Sequence, residues 1–132
     1  MKVVDIVPRE RLIGKVLGKP IFEDAINHGG ELVTWQYTEI LTDEGVSGYI
    51  PTGIPGDLLP TIKSVVVGAD PMNIQNIWQN LYWRFFNQGR SRGAMSAISS
   101  IDIGLWDIIG KKLKTPVYKL LGGYRDQVPG YG

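Results

Sequence analysis

The sequence predicts an α+β domain, a three-stranded antiparallel β-meander followed by a helical bundle packed on it. Three observations carry this reading. Apolar residues alternate with a period of two before Gly56, they recur with a period of about 3.6 after it, and the breaks between segments collect glycine and proline. Strands that precede all helices leave no alternating strand–helix pattern from which a parallel sheet could be built.

The first strand is Val3 to Val7, β-branched and ended by Pro8 as a short edge strand would be. From Arg11 to Gly30 no period is sustained, and Gly14, Gly18, Pro20 and Gly29-Gly30 mark a long loop. Loops beyond about 12 to 15 residues in a compact domain usually serve a function or are disordered, so this one is a candidate for binding. Leu32 to Leu41 alternates, with Val33, Trp35 and Tyr37 pointing one way and Thr34, Gln36 and Thr38 the other, the pattern of a half-buried strand. Asp43-Glu44-Gly45 supplies a turn, and Val46 to Ile50 returns as the antiparallel partner. Pro51 to Gly56 is a second loop.

The first helix is expected at Leu58 to Val67, with Asp57 as N-cap, Pro60 in the first turn and Gly68 as the stop. The second takes Asp70 as N-cap and Pro71 as its first residue, and carries Ile74, Ile77, Trp78, Leu81, Tyr82 and Phe85 on one stripe. The third runs from about Ser91 to Leu113, its apolar side made of Ala94, Ala97, Ile98, Ile101, Leu105, Ile108 and Ile109. Lys111, Lys112 and Lys114 suit the negative end of its dipole. Thr115-Pro116 introduces a short fourth helix, Val117 to Leu121, closed by Gly122-Gly123. Trp106 is assigned to the interface between the second and third helices.

Composition excludes several function classes. The 132 residues suit one core, and no apolar run approaches the roughly 20 residues a bilayer span requires. A net charge of +1 gives no field for nucleic acid or an anionic membrane, so no partner of either kind is expected. With no cysteine there is no disulfide or thiolate nucleophile, and Met1 to Glu10 lacks a secretory apolar stretch, so a cytoplasmic location is expected.

Motifs with possible chemistry fall away on inspection. Gly14 to Pro20 is one residue short of a phosphate loop and lacks the hydroxyl that follows its lysine. Asp102 and Asp107 sit about 140° apart around a helix and are no catalytic dyad. The aromatic run Trp78, Tyr82, Trp83, Phe85 and Phe86 reads as core rather than as a stacking platform. His28 is the one histidine, too few for an imidazole metal site. Lys19, His28 and Arg92 remain as candidate substrate-binding residues, polar, beside glycine or proline, and off every apolar stripe. Arg92 is read, with Arg90, as lying in a loop between Gly89 and Gly93. No catalytic residue and no metal ligand is assigned.

The stretch Ala97-Ile98-Ser99-Ser100-Ile101-Asp102-Ile103-Gly104-Leu105-Trp106-Asp107-Ile108-Ile109-Gly110-Lys111, continued by Pro116-Val117-Tyr118-Lys119-Leu120-Leu121-Gly122-Gly123 and Arg125-Asp126, resembles the amino-terminal domain of the enolase superfamily, in its mandelate racemase and muconate-lactonising branch. The hairpin Leu41 to Tyr49 and the break Gly68-Ala69-Asp70-Pro71 also match. Gly104 departs from the usual alanine, and Ile50-Pro51 from the usual Gly-Glu. The resemblance implies a capping domain at 1–123 and the opening of a (β/α)8 barrel at 124–132. A barrel needs about 200 further residues, and the family's magnesium carboxylates and proton-abstracting bases lie there. It therefore implies no cofactor held by this chain itself, magnesium in the full-length enzyme, and no activity in this piece alone. The loops Lys15 to Gly30 and Pro51 to Gly56 correspond to those that shape the substrate pocket. The run Arg90 to Met95 is similar to that of acid-sugar dehydratases, so the implied substrate is a small carboxylate or sugar acid, dehydrated or racemised. A homo-oligomer is expected, because Val117, Leu120, Leu121 and Tyr124 would lack their partner layer. The alternative is a stand-alone, non-catalytic domain for binding or self-association.

Overall fold

The computed structural model describes residues 1–14, 32–86, 92–125 and 127–130. The element order is β1 (Val3–Gly14), β2 (Leu32–Thr42), β3 (Gly48–Ile50), α1 (Leu59–Val66), α2 (Ile74–Phe86), α3 (Arg92–Lys112) and α4 (Val117–Leu120). The strands form one three-stranded antiparallel sheet in the order β1-β2-β3, so the expected meander and fold class hold.

β1 is longer than the sequence suggests. It continues past Val7, pairing Pro8 with Thr38 and Gly14 with Leu32, so Arg11–Gly14 belongs to a strand and not to the long loop. β1 is an edge strand, where a residue without an N–H is tolerated, and Pro8 therefore does not end it. A register shift between Val3 and Asp5 inserts one residue, which lets Val3 and Ile6 both face the core although an odd spacing would place them on opposite faces. On β2 the core face is Thr38, Ile40 and Thr42, while Tyr37 and Glu39 lie on the other side. The two threonines are satisfied inside: Thr38 Oγ1 donates to the Thr52 carbonyl at 3.2 Å and Thr42 Oγ1 to the Val46 carbonyl at 2.6 Å. Val46 and Ser47 stay outside β3, shortening the expected strand.

The helices cover the inner face of the sheet. All seven residues assigned to the apolar side of α3, from Ala94 to Ile109, are buried, and Ile74, Ile77, Leu81 and Phe85 of α2 join them. Two expected N-termini move. Leu58, not Asp57, precedes α1 and makes no side-chain cap. Asp70 caps a separate turn, its Oδ1 accepting from the Met72 N–H at 3.0 Å, and α2 begins only at Ile74. Arg92 opens α3 instead of lying in a loop. Trp78 and Tyr82 are half-buried and stacked on each other, with ring centroids 5.3 Å apart, while Trp83 and Phe86 are exposed. The aromatic run is thus core only in part.

β3 and α3 approach closely, and two glycines permit it. A Cβ on Gly48 would run into the Gly104 carbonyl oxygen, and one on Gly104 would come within 2.8 Å of Ile40 Cδ1 and Ile50 Cγ1. Gly104 therefore makes room for the two isoleucines that fill the sheet–helix interface.

Candidate functional site

The topology gathers three segments at one end of the sheet. β1 runs toward that end and stops at Gly14, β2 starts there at Leu32, and β3 runs parallel to β1 and hands over to 51–56. Gly53 lies against the Gln36 side chain, so the segment after β3 continues alongside the upper part of β2. The start of α3 is at the same end. Gly93 sits next to Leu58 at the close of that segment, and Thr52 Oγ lies 3.3 Å from Ser100 Oγ. At the other end of α3, Lys112 pairs with Glu44 in the turn between β2 and β3. Helix and sheet thus share one orientation, and Arg92 lies at the end of the domain from which both connections leave.

Lys19 and His28 lie outside the described residues, as does the Arg92 side chain. Their anchoring is legible nonetheless, because the connection carrying Lys19 and His28 departs from Gly14 and returns at Leu32.

A second feature is a groove of about 1080 Å³ where α3 meets the outer face of β2 and β3. Its walls are Tyr37, Glu39, Tyr49, Ile50 and Pro51 on the sheet side, Asp102, Ile103, Trp106, Asp107 and Lys111 on α3, and Val117 and Leu121. Trp106 is half-buried in this groove, which corrects its assignment to the α2–α3 interface. Its neighbour Leu105 takes the core position instead. The sequence hides the groove because Tyr37 and Tyr49 come from strands whose pairing brings their rings to 6.3 Å, and no local pattern joins them to Trp106.

The acidic groups have separate structural partners. Asp107 Oδ2 accepts from the Tyr49 N–H at 2.8 Å and from Lys111 Nζ at 2.6 Å. Lys111 also donates to the Ser47 carbonyl at 2.8 Å and lies 4.2 Å from the centroid of the Tyr49 ring. That node pins β3 to α3. Glu39 pairs with Arg9 at 2.9 Å and pushes the Tyr49 phenol above its usual range, and Asp5 pairs with Lys63 at 2.8 Å. Asp102 alone among the groove's carboxylates has no hydrogen bond or ion pair among the described residues, and burial raises its pKa above the ordinary 3.8. Asp102 and Asp107 line one groove yet share no partner, consistent with their angular separation. Among the described residues no three carboxylates or imidazoles converge, so the donor set does not fit a magnesium ion. No helix among them is long and apolar enough to cross a membrane.

Comparison with known proteins agrees with this architecture. Residues 33–122 match the family model of the mandelate racemase / muconate lactonizing enzyme N-terminal domain. Over 106 residues the chain is 43% identical to a D-galactonate dehydratase of Xanthomonas euvesicatoria pv. vesicatoria, a match covering 74% of this chain and 27% of that protein. It is 46% identical over 70 residues to a 3,6-anhydro-alpha-L-galactonate cycloisomerase of Streptomyces coelicolor, covering 53% of this chain and 19% of the relative. Among solved structures, a D-glucarate dehydratase from Agrobacterium tumefaciens complexed with magnesium superposes with a TM-score of 0.75 at 25% identity, over 96% of this chain and 34% of the other. The chain thus spans about a fifth to a third of the length of these relatives. With the sheet, the helix order and the Ala97–Gly123 stretch all in agreement, the chain belongs to the mandelate racemase / muconate lactonizing enzyme family, within the enolase superfamily, and carries its N-terminal domain.

Proposed function

We propose that this chain is the substrate-capping and specificity domain of a magnesium-dependent enolase-superfamily enzyme acting on a sugar carboxylate, as a dehydratase or racemase. The observation that supports this is that the end of β1, the start of β2, the segment after β3 and the first turn of α3 lie at one end of the sheet, where loops can reach a ligand without supplying catalytic groups. Relatives named for galactonate and glucarate support the substrate class. In this reading residues 1–123 form the cap, 124–132 open a barrel, and Lys19, His28 and Arg92 reach hydroxyl or carboxylate groups of the substrate. Proton abstraction beside the carboxylate, with the enolate held on magnesium, belongs to the barrel. The 132-residue chain turns over nothing by itself. Titration calorimetry with magnesium and an assay with D-galactonate test this together. The expected result is no stoichiometric uptake and no product; micromolar binding at one site, or turnover, would overturn it.

A further inference from the structure

Two hydroxyls sit where the core would accept hydrocarbon. Thr38 is buried on the inner face of β2, in line with Ile40, and Ser100 is buried on α3 beside Ala97 and Ile101. A buried hydroxyl costs free energy unless it is hydrogen-bonded, and valine or alanine would fill these places without that cost. Serine also favours a helix interior less than alanine does. Both hydroxyls reach the same residue. Thr38 Oγ1 donates to the Thr52 carbonyl at 3.2 Å, and Ser100 Oγ lies 3.3 Å from Thr52 Oγ1. Thr52 belongs to the segment 51–56 and is itself exposed, so the core holds this segment from a strand on one side and a helix on the other.

The rest of the segment is fixed as well. Ile54 is buried, and the Pro55 carbonyl accepts from the Leu58 and Leu59 N–H groups at 3.0 and 3.2 Å. Pro51 and Pro55 restrict φ at their positions. Pro51, Gly53, Pro55 and Gly56 are exposed and bring no polar side chain, so what they offer a ligand is a surface of fixed shape. Such a wall discriminates by fit and by clash, and does so only while it stays in place.

We propose that Thr38 and Ser100 are positioning residues, which through Thr52 hold 51–56 as a rigid wall of the ligand site and so set KM for the substrate. This rests on the proposed specificity role of the domain, and the two can fail separately, because the clamp is read without substrate.

Amide relaxation by NMR on the 132-residue chain tests the clamp directly. The Gly53, Ile54 and Gly56 amides are expected near the rigid-backbone order parameter of about 0.85, and Thr38→Val or Ser100→Ala should lower them toward about 0.6. Thr38→Ser, which keeps the hydroxyl, should restore them. In a barrel-bearing parent, Thr38→Val should raise KM for the preferred sugar acid roughly two- to tenfold while kcat changes by less than about twofold, and Thr38→Ser should reverse the effect. A loss of folded protein would lower kcat and leave KM alone. Order parameters that move in neither variant, or an unchanged KM in a parent that turns over, would overturn the proposal. A parent inactive on every sugar acid would overturn the proposed function instead, and the order parameters would still decide the clamp.

Discussion

The glycine pair at the β3–α3 contact separates two kinds of crowding. At Gly104 an added Cβ meets side-chain atoms of the buried Ile40 and Ile50, an overpacking cost of about 1 to 3 kcal/mol that alanine's helix preference of about 1 kcal/mol offsets in part, so Gly104→Ala should cost about 0 to 2 kcal/mol. At Gly48 the obstacle is the Gly104 carbonyl in the helix backbone, so Gly48→Ala should cost about 3 kcal/mol or more in urea unfolding. Equal effects would mean that the close approach is not what these glycines provide. Charge acts at the same scale. Asp102 is raised by burial, so folding favours its protonated form; that contribution is present below 3.8 and is lost as pH rises through the raised value. Asp102→Asn should therefore raise Tm at about pH 7 and leave it unchanged at about pH 3. Asp5 and Glu44 have the opposite sign. Hydrogen bonds from Lys63 and Lys112 hold them below 3.8 and 4.5, so their stabilisation is present above those values and fades as pH falls through the lowered ones. Replacing both by the amides should flatten the acid limb of the Tm–pH curve.

At the level of elements, α3 was the most legible part of the sequence and β1 the least. A helix that buries one face against a sheet and a second helix leaves a periodic trace, and Ala94 to Ile109 follow it throughout. The strand beyond Pro8 leaves none, because its pairing with β2 comes from residues 18 to 28 positions away, and a bulge at Val3–Asp5 breaks the alternation before it. Helix starts were displaced for a local reason: Asp70 satisfies a turn of its own before α2 begins. Of the candidate site, Lys19 and His28 lie outside the described residues; that the end of β1, the start of β2 and the segment after β3 share one end of the sheet follows from antiparallel order, which no single segment encodes. Trp106 marks the same boundary, since a helix adjacent to a core position and one on it differ by a single residue. Leu105→Ala should cost about 2 to 5 kcal/mol and Trp106→Ala distinctly less, compared by thermal melts; the reverse order would return Trp106 to the core.

The whole molecule divides its work between two faces. The helical bundle and inner sheet face provide stability, the lower turn locks to α3 through Glu44 and Lys112, and the upper end holds the end of β1, the start of β2 and the start of α3. In the proposed role as a specificity domain, Lys19, His28 and Arg92 would contact the substrate and leave the chemistry to the barrel. Losing one polar contact to a ligand costs about 0.5 to 1.5 kcal/mol, or up to about 3 when it is charged, roughly two- to 150-fold in affinity. The most direct measurement is kcat/KM over a panel of sugar acids in a barrel-bearing parent, with Lys19, His28 and Arg92 changed to alanine one at a time and magnesium affinity followed in parallel. The account predicts that at least one variant reorders the panel by a factor in that range while magnesium affinity stays constant; profiles that remain flat for all three, or that fall in proportion to lost magnesium, would contradict it.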